Sequence, residues 1–148
     1  MKPLFAYGTF VRRDWRTALL GADYAAEPAT LHGWERVACE SGYLSLREAK
    51  GARVDGVLVA LDAIGWAIAD HWEEVPKYRR ADVVARTARG PADASAYVAA
   101  NAAGARTIAD AGTFAVVSDA EVEASIARFA VTMRRLRDAL AASGPRAD

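Results

Sequence analysis

The segment VDGVLVALD, residues 54–62, limits the possible folds more than any other part of the sequence. Its β-branched and apolar residues, bounded by Gly56 and Asp62, predict a buried β-strand. A buried strand needs paired neighbours, and other strand-like segments occur on both sides of it in the sequence. These are PLFAY at 3–7, ATLHGWERVA at 29–38 with a glycine irregularity, GYLSLRE at 42–48, YRRADVVART at 78–87 and ADASAYVAAN at 92–101.

Three segments have helical spacing instead. RRDWRTALLG, residues 12–21, ends at a glycine that suits a helix stop, and AIGWAIADHWEE, residues 63–74, leads into Val75-Pro76, which should end it. The third begins with SDAE, a capping-box pattern with Ser118 at the N-cap and Glu121 three residues later. An apolar stripe follows at Val122, Ile126, Phe129, Met133, Leu136 and Leu140, with Arg128, Arg134, Arg135 and Arg137 mostly off it.

The order of these elements predicts the fold class. Strands and helices do not alternate in a βαβ rhythm, which favours an α+β domain over a parallel sheet. We therefore expect a curved, mostly antiparallel sheet or a small closed barrel with flanking helices. A chain of 148 residues should form one domain over residues 1–142, followed by a flexible tail at 143–148.

Charge and cysteine content exclude several classes of function. Lys plus Arg equals Asp plus Glu at 19 each, without the basic excess of a general nucleic-acid binder. No segment reaches the roughly 18 apolar residues of a membrane span, and MKPLFAYGTF does not look like a signal peptide. With a single cysteine, Cys39, no intrachain disulfide is possible. We expect a cytoplasmic protein that binds neither membranes nor nucleic acids.

The YGTF turn after the first strand is the first candidate site. Gly8 permits a backbone nest whose N–H groups bind an anion or a polarised carbonyl. Thr9 adds a hydroxyl, and Tyr7 adds a rigid wall with a polar tip. On the residues alone a purely structural turn is the alternative.

The second candidate is DHWEEVPKYRR, residues 70–80. Asp70, Glu73 and Glu74 lie near a helix C-terminus, where the helix dipole disfavours negative charge and raises a carboxyl pKa. A buried carboxyl there would suit general acid–base catalysis, and an exposed charged helix end is the alternative. His32, His71 and Cys39 share no metal-ligand spacing, so no metal site is predicted.

Taken together, these segments resemble the gamma-glutamylcyclotransferase-like family, in its small single-domain bacterial type. Such members open with a strand ending in Tyr-Gly-Thr or Tyr-Gly-Ser, as YGT does here. VDGVLVALD matches their middle strand, with its V-x-G opening and L-D ending, and GYLSL lies where many carry a glycine-aromatic segment. ADHWEEVPKYRR matches their helix end, an aromatic-Glu pair followed by Y-x-R. The resemblance covers roughly residues 3–100 and leaves out the last helix.

The resemblance implies a site and a reaction. The family's catalytic carboxylate follows the aromatic residue and falls on Glu73, with Glu74 as the alternative because the interval to Tyr78 is one residue short. The reaction closes a γ-glutamyl group to 5-oxoproline and releases an amine or amino acid, without cofactor or metal. The implied substrate-binding residues are Tyr7, Gly8, Thr9, Phe10, Tyr43 and Tyr78.

Two other functions stay open from the sequence. One is a non-catalytic member of the same fold that binds a small acidic ligand. The other is an interaction protein that uses the apolar stripe of its last helix. The implied partner is a small γ-glutamyl molecule, and the protein is expected to be a monomer or a homodimer.

Overall fold

Six strands and three helices make up the described part of the chain. The structure is a computed structural model, and it describes residues 1–39, 44–74, 77–100, 106–107 and 118–143. Residues 144–148, most of the predicted tail, lie outside this description. The elements in chain order are β1 Leu4–Ala6, α1 Arg13–Leu20, β2 Ala26–Ala38, β3 Leu44–Val59, α2 Ala63–Trp72, β4 Tyr78–Thr87, β5 Gly90–Ala99, β6 Arg106–Thr107 and α3 Asp119–Ala142.

Five of the strands close into a barrel. β2 pairs antiparallel with β3 along most of its length, and it also pairs with β4 at Thr30 opposite Arg86. The ring continues from β3 through β1 and β5 back to β4, and β6 adds to the end of β2. The only parallel contact among the described strands of the ring joins β1 to β5, at Leu4 opposite Ser95. The predicted α+β fold with a small, mostly antiparallel barrel is confirmed.

The long strand β3 differs from the sequence prediction. GYLSLRE and VDGVLVALD were expected as separate strands, yet residues from Leu44 to Val59 form one continuous strand. Gly56 was expected to bound a strand, but it lies inside β3, where a Cβ atom would be 2.2 Å from the Ala6 carbonyl oxygen. The glycine therefore allows β1 to approach β3 closely, which the sequence pattern alone did not show. The predicted irregularity in β2 is confirmed as a register shift between His32 and Trp34.

Local capping residues set the ends of the helices. Gly21 ends α1 in the left-handed conformation with φ 75°, and the Ser118 hydroxyl accepts a hydrogen bond from the Glu121 N–H at the start of α3. Helix α2 ends at Trp72. Glu74 then adopts φ 53°, which no helix can continue. The stop thus comes before Val75 and Pro76, which were expected to cause it and lie outside the described residues.

Two hydrophobic cores lie on the two faces of the barrel wall. Alternate strand residues fill the interior, and the small side chains Ala85, Ala94 and Ala96 let β4 and β5 close tightly around larger ones. The outer face packs against the helices, and the predicted α3 stripe contributes Val122 and Ile126 to this second core. None of the helices in the described ranges has both the length and the apolar character needed to cross a membrane.

Candidate active site

A cavity of about 500 Å³ lies where the end of β1 meets the C-terminal end of α2 and the N-terminal half of α3. Both candidate segments from the sequence, residues 7–10 and 70–80, contribute to its wall although they are far apart in the chain. Of the predicted site residues, Tyr43 lies outside the described residues. The others all line the cavity: Tyr7, Gly8, Thr9, Phe10, Glu73, Glu74 and Tyr78.

The YGTF turn forms one wall. Gly8 has φ −132° and leads into a single 3₁₀ turn over Thr9–Val11. The N–H groups of Thr9 and Phe10 precede the first hydrogen bond of this turn, so the turn itself gives them no acceptor. On the other side, the Arg16 guanidinium donates to the Phe10 carbonyl at 2.9 Å and to the Val11 carbonyl at 3.1 Å. The turn is thereby held from behind by a buried arginine.

Glu73 forms the opposite wall, at the C-cap of α2. Desolvation raises the pKa of its carboxyl from 4.5 to about 8, and the negative charges of Asp70 and Glu74 add to this effect. No hydrogen bond joins its side chain to another described residue. Glu73 is therefore largely protonated at neutral pH, and at slightly higher pH it can both accept and release a proton.

Asp70 lies one helical turn earlier and has a different environment. The Arg80 guanidinium donates two hydrogen bonds to its carboxylate, at 2.9 and 2.5 Å. The Tyr97 hydroxyl donates a third at 2.6 Å, and Arg80 also stacks 4.2 Å from the centre of the Trp66 ring. Of the three carboxyls in the predicted acidic cluster, Asp70 is thus held by hydrogen bonds, whereas Glu73 has no such partner among the described residues.

Glu74, the alternative catalytic candidate, lines only the outer part of this region. Its side chain is 70% exposed and lies 3.6 Å from the Lys77 ammonium. The Glu74 carboxylate is therefore open to solvent, whereas the Glu73 carboxyl is desolvated. Of the two glutamates, Glu73 has the environment that suits proton transfer.

Three tyrosines define the polar end of the cavity. The Tyr7 hydroxyl donates to the Tyr97 carbonyl at 2.5 Å, and the Tyr78 hydroxyl donates to the Leu44 carbonyl at 3.1 Å. Burial raises the pKa of Tyr7, and the nearby charge of Glu73 raises it further. Tyr97 was missed by sequence analysis because it lies in an alanine-rich strand, where no local motif marks it.

Helix α3 supplies a third wall that the sequence analysis did not place at the site. Ser125, Arg128 and Phe129 line the cavity. Phe129 packs edge-on against Trp72, with ring centres 5.3 Å apart. The apolar stripe correctly marked Phe129 as a packing residue, but only the tertiary contact brings α3 next to Glu73.

Known proteins resemble this chain in sequence family and in fold. The model of the family described as gamma-glutamyl cyclotransferase, AIG2-like, matches residues 4–115. No curated protein sequence matches the chain. Among the described residues, no three His, Cys, Asp or Glu side chains are grouped as metal ligands.

Solved structures share the fold at low sequence identity. Two Arabidopsis thaliana proteins, both solved in solution, are 20% and 18% identical, with TM-scores of 0.60 and 0.64. The alignments cover 93% and 97% of this chain and 82% and 93% of theirs. A gamma-glutamyl cyclotransferase structure is 18% identical with a TM-score of 0.59, and covers 72% of this chain and 69% of its own.

Proposed function

Because the chain belongs to the gamma-glutamyl cyclotransferase, AIG2-like family, we propose that it cyclises a γ-glutamyl group to 5-oxoproline. The reaction releases an amine or an amino acid. The observation that carries the proposal is Glu73, a carboxyl with a pKa raised to about 8 that lines a cavity beside the YGTF turn. The bond changes are confined to the substrate, so the protein needs to fold the substrate and move protons.

In the proposed reaction the substrate's α-amine attacks its own γ-carbonyl carbon. One C–N bond forms and closes a five-membered lactam, and the C–N bond to the leaving amine breaks. Well-oriented intramolecular attack reaches effective molarities of about 10⁵ M or more. The cavity would hold the substrate with the amine and the carbonyl in contact.

Glu73 is proposed to carry the proton between the two nitrogens. An α-ammonium has a pKa of about 8 or above, in the same range as that of Glu73. Proton transfer between matched groups is then nearly balanced in free energy, which suits a residue that must both take and return a proton. The carboxylate form takes the proton lost by the attacking amine, and the carboxylic acid then gives it to the leaving nitrogen.

The YGTF turn is proposed to bind the substrate's polar end or the oxyanion that forms at the γ-carbonyl. The N–H groups of Thr9 and Phe10 have no acceptor within the turn, and fixed donors of this kind stabilise developing negative charge. Tyr7 and Tyr78 would wall the same end of the cavity. The proposed partner is a small γ-glutamyl molecule. We still predict that the protein is cytoplasmic and that it is a monomer or a homodimer.

The test is to incubate the purified protein with γ-glutamyl amino acids and γ-glutamyl amines and to measure 5-oxoproline by mass spectrometry. Glu73→Gln keeps the shape of the side chain but cannot exchange a proton, so we expect turnover to fall by about 10²- to 10⁴-fold. Glu74→Gln, the matched control, should change turnover by less than about twofold. Near-full activity of Glu73→Gln would contradict the assigned role. If no substrate gives 5-oxoproline, the alternative holds that the protein is a non-catalytic member of the family that binds a small ligand.

A further inference from the structure

Arg128 on α3 introduces a positive charge at the mouth of the cavity. It is the one lysine or arginine among the described residues that line the cavity. Its guanidinium donates to the Ser125 hydroxyl, a neutral acceptor, at 3.1 Å, and no ion pair joins it to another residue in the part of the chain that the structure describes. Arg137, on the same helix, does not line the cavity and instead donates to the Leu20 carbonyl and to the Tyr24 hydroxyl.

The packing of α3 fixes where this charge lies. Phe129, the next residue, packs on Trp72, which directly precedes Glu73. Arg128 itself is exposed, whereas Thr9 and Phe10 of the YGTF turn are buried. The cavity therefore has a buried inner end with the turn and an exposed outer edge with Arg128.

This arrangement orients the proposed substrate. The α-amine and the γ-carbonyl must both lie close to Glu73, so the γ-glutamyl group fills the inner part of the cavity. The group on the other side of the scissile bond then extends toward the mouth and toward α3. A carboxylate on that group would meet the Arg128 guanidinium, which binds carboxylates through a planar fork of donors.

We propose that Arg128 selects substrates whose leaving group carries a carboxylate, that is, γ-glutamyl amino acids or peptides rather than γ-glutamyl amines. The inference rests on the proposed function, and it names the substrate class for the same site. Arg128 lies beyond the residues that the family model matches, 4–115, so the selection belongs to the α3 wall of this chain.

The experiment compares two substrates that differ only in that carboxylate, γ-glutamyl-alanine and γ-glutamyl-alaninamide. For each we would measure kcat/KM with the wild type, Arg128→Gln and Arg135→Gln. Arg135 is an exposed arginine on the same helix that does not line the cavity. We expect kcat/KM of the wild type to be about tenfold higher for the free acid than for the amide. This ratio lies between the value expected for an exposed charged contact and that for a buried one.

In Arg128→Gln the ratio of the two kcat/KM values should fall to about one, and in Arg135→Gln it should stay at the wild-type value. A wild-type ratio near one would overturn the inference. An unchanged ratio in Arg128→Gln would also overturn it. If kcat/KM fell equally for both substrates, Arg128 would be binding the α-carboxylate of the γ-glutamyl group, which both substrates carry.

A binding arm separates this inference from the proposed reaction. Calorimetry would compare the same two ligands on Glu73→Gln and on Glu73→Gln/Arg128→Gln. A preference for the acid that disappears with Arg128 supports the inference even if no 5-oxoproline forms. Equal binding of acid and amide to Glu73→Gln overturns the inference, whether or not the wild type turns over.

Discussion

Asp70 and Glu73 lie one turn apart at the end of the same helix, and their surroundings differ. Asp70 accepts three hydrogen bonds from Arg80 and Tyr97. Glu73 has no such partner among the described residues, and desolvation raises its pKa to about 8. The first arrangement stabilises the fold around Trp66, and the second keeps a proton available in a cavity.

The difference shows how a carboxyl can be prepared for chemistry at a cost in stability. A partnered carboxylate favours its charged form, whereas a desolvated one disfavours it. Arg80 holds the Asp70 carboxylate in place by two hydrogen bonds. The negative charge of Asp70 in turn raises the pKa of Glu73. Substitutions at the two positions should therefore have opposite effects on stability.

The largest expected effect on stability follows from substituting Glu73. Between pH 4.5 and about 8 the native state holds the Glu73 proton and the unfolded chain has lost it, so folding stability falls as pH rises through that window. Each pH unit corresponds to about 1.4 kcal/mol. Because Glu73 keeps partial contact with solvent, we expect Glu73→Gln to gain roughly 2–3 kcal/mol over the wild type at pH 9.

Urea unfolding of both proteins at several pH values measures this gain. The advantage of Glu73→Gln should shrink as pH falls through about 8 and should vanish below about 4. A constant difference at all pH values would mean that the ionisation of Glu73 is not its cause.

A smaller and opposite effect is expected for Asp70→Asn. The substitution removes the charge that Arg80 pairs with and weakens the acceptor of the Tyr97 hydroxyl. Since the Asp70 side chain is 32% exposed, we expect a loss of about 1–2 kcal/mol in the free energy of unfolding. The pKa of Glu73 should fall, which would shift the pH profile of kcat/KM toward lower pH.

Asp82→Asn is the matched control for this variant. It breaks the exposed 3.0 Å pair with Lys2, and neither residue of the pair is among those that line the cavity. Its unfolding free energy should change by less than about 0.5 kcal/mol, and its pH profile should not move. If both variants shift the profile alike, then the shift reflects overall charge rather than the nearby charge of Asp70 acting on Glu73.

The smallest effect is expected for Glu74→Gln. The side chain is mostly exposed and its pair with Lys77 is 3.6 Å long, so stability should change by less than about 0.5 kcal/mol. The Glu74 charge is the last of the three causes that raise the pKa of Glu73. A small downward shift of the pH profile, less than that of Asp70→Asn, should therefore accompany nearly unchanged turnover.

Local signals in the sequence predicted much of the fold. Ser118 and Gly21 marked helix ends that the structure confirms, and the missing βαβ rhythm correctly favoured a barrel. The continuity of β3 could not be predicted in the same way. Gly56 has a role that depends on the nearby backbone of β1, and this contact is invisible in the sequence around it.

The candidate site was predictable where short motifs mark it and not where tertiary packing builds it. YGTF and the aromatic-Glu pair were recognised, and the residues of both line one cavity. Tyr97 and Arg128 were not recognised as site residues. Tyr97 lies in an alanine-rich strand, and the arginines of α3 have the pattern of a solvated helix surface. The choice between Glu73 and Glu74 also depended on burial, which adjacent residues of the same type do not reveal.

The most direct measurement of the central claim is an NMR titration of the glutamate side-chain carboxyl carbons in the wild type and in Glu73→Gln. We predict one resonance that titrates near pH 8 in the wild type and is missing from the variant. Glutamate resonances that all titrate near their ordinary value of about 4.3 would contradict the account. The cavity would then lack the carboxyl of raised pKa on which the proposed proton transfer rests.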